Sequence, residues 1–205
     1  MTYIIKFIWA KFFFNLCLLP VRIIHEEKFD PKQQYIFCAN HFSYLDIPLM
    51  GFTYHDFVFV GKSSLAKIPL FGYMFKKLHI TVDRSSFRDR HKALLRSKEA
   101  IEQGRSLLIF PEGGILTSNP PEMARFKDGA FRTAIEKQIS IIPVTIPYNW
   151  ILLPDESVVL NRRASTIVYH KPIVVKGMTM EDLETLKMNT FAVIDSTLKK
   201  YNREN

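Results

Sequence analysis

The chain has 205 residues, and 47% of them are hydrophobic, which is the length and composition of one globular domain with a substantial core. Lys and Arg number 28 against 20 Asp and Glu. Anionic partners are therefore expected, but nucleic acid is not, because no DNA- or RNA-binding motif accompanies the charge. The two cysteines, Cys17 and Cys38, match no metal-binding or redox spacing, which argues against a disulfide scaffold and favours a reducing, cytoplasm-facing environment.

The first predicted element is an apolar helix over residues 3–24, which would extend about 33 Å at 1.5 Å per residue. Lys6, Lys11 and Asn15 interrupt the apolar run, and a lysine at mid-bilayer costs about 2.5–3.5 kcal/mol on insertion scales. Lys11, Asn15 and Arg22 are spaced so that they share one helical face. We therefore predict an amphipathic helix that lies in the membrane interface, with a core helix of a soluble fold as the alternative.

After this segment the chain alternates between predicted strands and predicted helices. Runs of β-branched and aromatic residues predict strands at 35–39, 57–60, 79–82, 107–110, 141–146 and 166–170. Helical periodicity predicts helices at 87–103, 128–137 and 179–201. The last of these opens with a capping-box pattern, Thr179 to Asp182.

This alternation predicts an α/β fold, a single layered domain with a mostly parallel sheet flanked by helices. We assign residues 29–205 to this domain and residues 1–28 to the N-terminal membrane-associating helical segment.

Polar residues follow two of the predicted strands at the point where each strand ends. Asn40 and His41 follow the strand at 35–39, and the sequence Pro-Glu-Gly-Gly at 111–114 follows the strand at 107–110. Because open α/β sheets bind ligands beyond the carboxyl ends of their strands, both clusters are expected to line one cleft.

His41 and Asp46 are the candidate catalytic pair. Imidazole is the side chain whose ordinary pKa best suits general-base work near neutral pH, and an alcohol attacks a carbonyl slowly unless its proton is removed. Asp46 can orient the ring if the backbone turns between the two residues, and we expect Ser43 to N-cap a helix that makes this turn. Ser43 is not expected to be a nucleophile, because no Gly-x-Ser-x-Gly elbow surrounds it. Taken alone, the spacing equally fits a structural hydrogen bond in a loop.

Four sequence blocks follow one another along the chain: Asn40-His41-x4-Asp46, Val82-Asp83-Arg84, Phe110-Pro111-Glu112-Gly113-Gly114 and Ile142-Pro143-Val144. Together with the Phe-Lys-Asp-Gly-Ala-Phe stretch at 126–131, they resemble the conserved blocks of the glycerolipid acyltransferases. The resemblance is to the 1-acyl-glycerol-3-phosphate acyltransferases in particular, which make phosphatidic acid.

The resemblance implies transfer of a fatty acyl group from acyl-CoA or acyl-carrier protein to the free hydroxyl of 1-acyl-glycerol-3-phosphate, with no cofactor and no metal. It implies that His41 is the general base and that Asp46 orients it. It also implies an enzyme of phospholipid synthesis that works on a membrane lipid surface, which we place on the cytoplasmic face of the inner (plasma) membrane.

The same resemblance implies a set of substrate-binding residues around the glycerol-phosphate portion. Guanidinium offers forked donors to phosphate, and glycines let backbone N–H groups approach an anion closely. The predicted set is Asn40, Arg84, Glu112, Gly113, Gly114 and Lys127.

The third block departs from the family pattern at one place. Family members commonly read Glu-Gly-Thr-Arg there, whereas this chain reads Glu112-Gly113-Gly114-Ile115. The missing arginine leaves a different headgroup open, with Arg125 or Lys127 as replacement cations.

Three alternative functions remain open at this point. The acceptor can be another lysolipid, such as a lyso-ornithine lipid, or the chain can be a catalytically silent membrane-binding module. A metal-dependent hydrolase would use His41, Asp46 and Glu112 as ligands, but the absence of a second histidine in the pattern counts against zinc.

Overall fold

A computed structural model describes residues 2–62, 79–83, 85–154, 160–161 and 163–203. The strands in these residues are β1 (Val21–His25), β2 (Ile36–Ala39), β3 (Phe57–Lys62), β4 (Ile80–Val82), β5 (Ser106–Ile109), β6 (Ile141–Thr145) and β7 (Ser165–Tyr169). They form one sheet in the order β1-β7-β6-β2-β5-β3-β4. Neighbouring strands are parallel except for β6 and β7, which pair antiparallel.

Helices cover both faces of this sheet. The described helices are α1 (Thr2–Leu16), α2 (Asp46–Leu49), α3 (Phe87–Glu102), α4 (Gly129–Lys137), α5 (Asn149–Leu152) and α6 (Leu183–Arg203). Side chains alternate along β2. Ile36 and Cys38 join the core cluster formed with α3, α4 and α6, whereas Phe37 and Ala39 join the cluster formed with α1 and α2. The predicted α/β fold with a mostly parallel sheet is confirmed.

The predicted elements of the α/β domain are present, with ends that differ from the prediction by no more than two residues, except that α6 begins four residues later than predicted. The capping box at Thr179 and Asp182 is also confirmed: the Asp182 carboxylate accepts the Thr179 N–H at 2.7 Å. It opens a short 3-10 turn, Met180–Asp182, that leads into α6.

The N-terminal prediction needs a correction, because the helix ends at Leu16 and residues 21–25 form a strand. Leu18 has a φ of 53°, a conformation that ends a helix, and Pro20 cannot donate a helical hydrogen bond. β1 then pairs in parallel with β7. Segment 1–28 is therefore helical only in its first part, and Arg22 does not share a helical face with Lys11.

Helix α1 packs on the α/β domain through a close approach to Gly51. Ala10 and Phe14 are buried, and a Cβ atom added at Gly51 would lie 2.7 Å from the Ala10 Cβ and 3.0 Å from the Lys6 carbonyl oxygen. Glycine at this position lets the helix sit directly on the 3-10 turn Met50–Phe52.

Lys6 turns inward from α1, although the sequence suggested that it interrupts the apolar surface. Its ammonium donates to the Phe57 carbonyl at 2.5 Å and lies 3.8 Å from the centre of the Phe57 ring. Asp56 is 3.7 Å away. Burial lowers the pKa of Lys6 to about 8, although Asp56 opposes this shift. The charge of Lys6 therefore does not lie on the outward side of the helix.

The outward side of α1 is predominantly apolar. Its exposed large apolar side chains are Ile4, Ile5, Ile8, Trp9, Phe12 and Leu16, and Leu18 follows them in the chain. We call these seven residues the outer apolar surface. Apolar residues thus lie on both the buried and the exposed sides of α1, and Lys11 and Asn15 are exposed as well. The described residues therefore do not show the predicted division into an apolar and a polar face. No helix in the described ranges is long and apolar enough to cross a membrane.

Candidate active site

The two polar clusters meet at the carboxyl edge of the sheet, as the sequence predicted. β2 and β5 are parallel neighbours, with Cys38 opposite Ile109, so the segments that follow the two strands leave the sheet side by side. The main-chain N–H of His41 donates to Oε1 of Glu112 at 2.7 Å. The fourth sequence block lies inside β6, which pairs with β2 on its other side.

His41 and Asp46 are in direct contact in this edge. Nδ1 of His41 lies 3.0 Å from Oδ2 of Asp46, and the side chains are 9% and 1% exposed respectively. Since the carboxylate takes Nδ1, Nε2 is the ring nitrogen left to face a reacting hydroxyl. This is the arrangement that a general base with an orienting carboxylate requires.

The turn between the two residues is built by the Asp46 carboxylate. Oδ2 accepts the main-chain N–H groups of Phe42 at 2.8 Å and Ser43 at 2.9 Å. Helix α2 begins at Asp46 with no side-chain cap. The expectation that Ser43 N-caps this helix is therefore wrong. The Ser43 hydroxyl instead donates to the Leu153 carbonyl at 2.8 Å and accepts the Leu45 N–H at 3.3 Å.

Phe110 fixes the plane of the imidazole from the neighbouring strand. The two rings are stacked with centroids 4.0 Å apart and an interplanar angle of 8°. The third sequence block gave no sign of this contact, in which the buried Phe110 ring limits rotation of the His41 ring. Asp46 and Phe110 together restrain both the position and the tilt of the imidazole.

Glu112 is fully buried and has main-chain partners for both carboxylate oxygens. Oε1 accepts the His41 N–H, and Oε2 accepts the Ala124 N–H at 2.8 Å. Burial raises the pKa of Glu112 to about 7, with a smaller contribution from the Asp46 charge, while the two N–H donors oppose the shift. These contacts favour a role in holding the loop after β5 to His41 over the predicted contact with a substrate.

The side chain of Asn40, like that of Glu112, is held by main-chain groups, in this case those of the segment after β6. Its amide nitrogen donates to the Ile146 carbonyl at 2.9 Å, and its amide oxygen accepts the Ile146 N–H at 2.7 Å. The side chain is fully buried. These bonds tie the residue before His41 to the segment after β6, which again favours positioning of the edge over binding of a substrate.

Lys127 lies against Gly113, and Gly114, the next residue, is half-buried. Gly113 has a φ of 85°, in the left-handed region, and a Cβ atom there would overlap the ammonium group of Lys127. The Lys127 N–H donates to the Pro111 carbonyl at 2.9 Å, which holds the two segments together. A cation therefore lies beside glycine backbone, a combination that suits an anion. Arg84 lies outside the described residues.

An apolar cleft of about 190 Å³ opens beside Phe110 and Gly113. Apolar residues of β3, β4, β5 and α3 form its walls, with Arg90 and Lys127 among its lining residues. The cleft thus combines apolar surface with cations next to the His41 edge, which suits a ligand with an apolar chain and an anionic group.

Two residues of this site were not found from the sequence. Asn149 donates through Nδ2 to Oδ1 of Asp46 at 2.9 Å, and the Ser165 hydroxyl donates to Oδ1 of Asn149 at 2.7 Å. Asn149 is 103 residues away from Asp46, so no local pattern marks the contact.

The described residues contain no group of three or more His, Cys, Asp or Glu side chains arranged to hold a metal ion. Glu112, the third ligand in the metal hypothesis, directs both its oxygens to main-chain N–H groups.

Comparison with known proteins gives matches in sequence and in structure. A family model described as acyltransferase matches residues 20–147. A 1-acyl-sn-glycerol-3-phosphate acyltransferase of Chlamydomonas reinhardtii is 33% identical over 156 residues, which cover 75% of this chain and 46% of that protein. A lyso-ornithine lipid O-acyltransferase of Pseudomonas aeruginosa is 33% identical over 125 residues, which cover 61% of this chain and 47% of that protein.

Among solved structures, the 1-acyl-sn-glycerophosphate acyltransferase of Thermotoga maritima has the same fold, with a TM-score of 0.82 at 23% identity. The match covers 98% of this chain and 79% of that chain. This chain spans about half the length of the two curated relatives.

Proposed function

The chain belongs to the acyltransferase family, and from this premise we propose that it transfers a fatty acyl group from an acyl thioester to the free hydroxyl of 1-acyl-glycerol-3-phosphate, giving phosphatidic acid. The observation that carries the proposal is the contact of 3.0 Å between His41 Nδ1 and Asp46 Oδ2 at the carboxyl edge of the sheet.

In the proposed reaction, Nε2 of His41 removes the proton of the acceptor hydroxyl as its oxygen attacks the thioester carbonyl. The C–S bond then breaks, and the imidazolium returns the proton to the departing thiolate. Asp46 stabilises the imidazolium between these two steps. A thioester is already activated, so the reaction needs neither a protein nucleophile nor a cofactor, and either acyl-CoA or acyl-carrier protein can be the donor.

The acceptor phosphate is proposed to bind where Lys127 lies over Gly113, with Arg84 of the second block as a further cation. The support is the left-handed turn at Gly113 and the close approach of the ammonium group to it. The neighbouring apolar cleft provides a surface for an acyl chain. In this scheme Asn40 and Glu112 position the edge, and Gly114 keeps the loop backbone open to the phosphate.

The enzyme is proposed to work on a membrane surface through the outer apolar surface of α1. Contiguous exposed apolar residues commonly mark interaction sites, and Trp and Phe favour the boundary between headgroups and acyl chains. Lys6 turns inward and leaves this surface. The net charge of +8 favours anionic lipid, and we place the protein on the cytoplasmic face of the inner membrane.

A second acceptor, a lyso-ornithine lipid, has a specific observation in its favour. The Pseudomonas aeruginosa relative is as similar in percentage identity as the Chlamydomonas reinhardtii relative. In addition, Gly114 and Ile115 stand where the family commonly has Thr-Arg, which removes one phosphate donor. A headgroup without a phosphomonoester needs fewer cations.

One assay separates these functions. Purified protein is incubated with liposomes, a labelled acyl-CoA and either 1-acyl-glycerol-3-phosphate or lyso-ornithine lipid, with and without a chelator. We expect labelled phosphatidic acid from the wild type, no product from His41→Ala, and no effect of the chelator. Faster acylation of lyso-ornithine lipid than of 1-acyl-glycerol-3-phosphate would identify lyso-ornithine lipid as the acceptor. Vesicle binding with no turnover on either lipid would indicate the silent module, and loss of activity with chelator would indicate a metal enzyme.

A further inference from the structure

Asp46 is held by donors on both of its carboxylate oxygens. Oδ2 accepts His41 and two main-chain N–H groups, whereas Oδ1 accepts the amide of Asn149 at 2.9 Å. The orientation of Oδ2, the oxygen that contacts His41, therefore depends partly on the hydrogen bond that holds Oδ1.

Asn149 is itself held in one orientation. It is the first residue of α5 and is 1% exposed. Its carbonyl oxygen accepts the Ser165 hydroxyl at 2.7 Å. Because the ionised Asp46 carboxylate only accepts, the NH₂ group of Asn149 faces Oδ1 of Asp46, and the amide oxygen faces Ser165, whose hydroxyl donates to it.

Ser165 is in turn fixed by the backbone of the N-terminal region. It is the first residue of β7, and its N–H donates to the Pro20 carbonyl at 2.8 Å. Asn149 and Ser165 both lie beyond residue 147, where the family match ends. The hydrogen-bonded chain thus runs from the start of β1 through Ser165 and Asn149 to Asp46 and His41.

We propose that Asn149 is a positioning residue for the acyl transfer. By holding Oδ1 of Asp46, its amide keeps Oδ2 directed at Nδ1 of His41 and fixes the imidazole for proton removal. The proposal rests on the proposed function, but it also predicts a property of His41 that can be observed without turnover.

Two substitutions separate positioning from a loss of folding. Asn149→Leu removes the donor and introduces no charge. Because the lost hydrogen bond is one to a charged group that holds the His41 ring, kcat is expected to fall at least about tenfold, with KM little changed and with the same loss at every pH.

Asn149→Asp places a carboxyl group against Oδ1 of Asp46. Two carboxyl groups this close share one proton. While the pair is singly protonated, the introduced carboxyl donates to Asp46 as the amide does; when both ionise, they repel each other. The ratio of the variant's kcat to that of the wild type is therefore expected to be near one at low pH and to fall as pH rises.

Other charged and titratable groups lie near this carboxyl pair. Among the described residues, His41 and Glu112 lie on the neighbouring loops, and Arg163 stacks 3.7 Å from the ring of Tyr148, which precedes Asn149. Each is present in the wild type and in both Asn149 variants, so the ratio of their kcat values isolates the effect of the introduced carboxyl.

Thr53→Val is the matched control. The Thr53 hydroxyl is buried and bonds the Tyr169 hydroxyl at 2.7 Å, and it is not part of the chain that reaches Asp46. This variant loses a buried hydrogen bond of the same length as that between Ser165 and Asn149, so it is expected to lose stability while its kcat and pH profile stay those of the wild type.

The readout that needs no turnover is the low-field proton signal of His41 Nδ1–H, identified by its absence in His41→Ala. We expect this signal in the wild type and in Thr53→Val, and a shifted or broadened signal in Asn149→Leu. Wild-type kcat and an unchanged signal in Asn149→Leu would overturn the proposal. So would an Asn149→Asp profile parallel to that of the wild type. Absence of acyl transfer by the wild type, with the signal still responding to Asn149→Leu, would refute the proposed function and leave the positioning role standing.

Discussion

The outer apolar surface of α1 allows membrane binding to be predicted with a magnitude. Phe12, Leu16 and Leu18 are 64%, 70% and 79% exposed. Transfer of a whole Phe or Leu side chain out of water contributes about 1.5–3 kcal/mol, so the exposed part of each contributes about 1–2 kcal/mol. Replacing all three by Gln should weaken vesicle binding by about 3–6 kcal/mol, or roughly 100- to 10,000-fold.

The measurement is sedimentation with liposomes that contain anionic lipid. Thermal unfolding of the triple variant should match the wild type within a few degrees, because the three replaced side chains are exposed and Gln is a good helix former at the two helical positions, Phe12 and Leu16. The control replaces Leu116, Val174 and Met188 by Gln. These side chains are 60%, 64% and 52% exposed but lie outside the outer apolar surface. Equal vesicle binding by the triple variant and the wild type, or an equal loss in the control, would refute the assignment.

Two further predictions concern the loop after β5. The pKa of Glu112 is raised to about 7 from an ordinary value near 4.5, so between pH 4.5 and pH 7 the folded state binds more protons than the unfolded state. The free energy of unfolding therefore falls as pH rises through this window, by up to about 3 kcal/mol. Urea unfolding at pH 4.5 and 7.5 should show this fall in the wild type and not in Glu112→Gln; the same fall in both would contradict it. Gly113→Ala should lower activity with 1-acyl-glycerol-3-phosphate at least severalfold by displacing Lys127. Gly104→Ala is the control, because Gly104 also has a left-handed φ of 82° but an added Cβ there meets nothing within 4 Å. This variant should show the backbone strain alone and keep its activity. An equal loss of activity in both variants would show that displacement of Lys127 is not the cause.

The strands of the α/β domain could be predicted because their sequences carry the pattern locally. Short β-branched runs such as 141–146 are bounded by polar or glycine-containing segments, and the alternation with helical periodicity fixes the fold class. β1 was missed because Val21–His25 follows an apolar run with no polar break. Its strand conformation depends on pairing with β7, more than a hundred residues later in the chain, which no local window contains.

The same distinction applies to the site. His41 and Asp46 are five residues apart and could be paired from sequence, whereas Asn149 reaches Asp46 across 103 residues. Glu112 could be placed in the cluster from sequence, but its burial and its two main-chain partners could not, because burial cannot be read from a charged residue in a loop. The inward turn of Lys6 was invisible for a similar reason: its partner carbonyl is 51 residues away.

The central claim is that His41 and Asp46 act as one proton-accepting unit, and a double-mutant cycle tests it most directly. The value of kcat/KM for acyl transfer to 1-acyl-glycerol-3-phosphate is measured for wild type, His41→Ala, Asp46→Asn and the double variant. If the pair works as a unit, His41→Ala loses roughly 1,000-fold or more, and Asp46→Asn adds almost nothing in its absence. Losses that multiply in the double variant, or a His41→Ala enzyme that keeps its activity, would contradict the account.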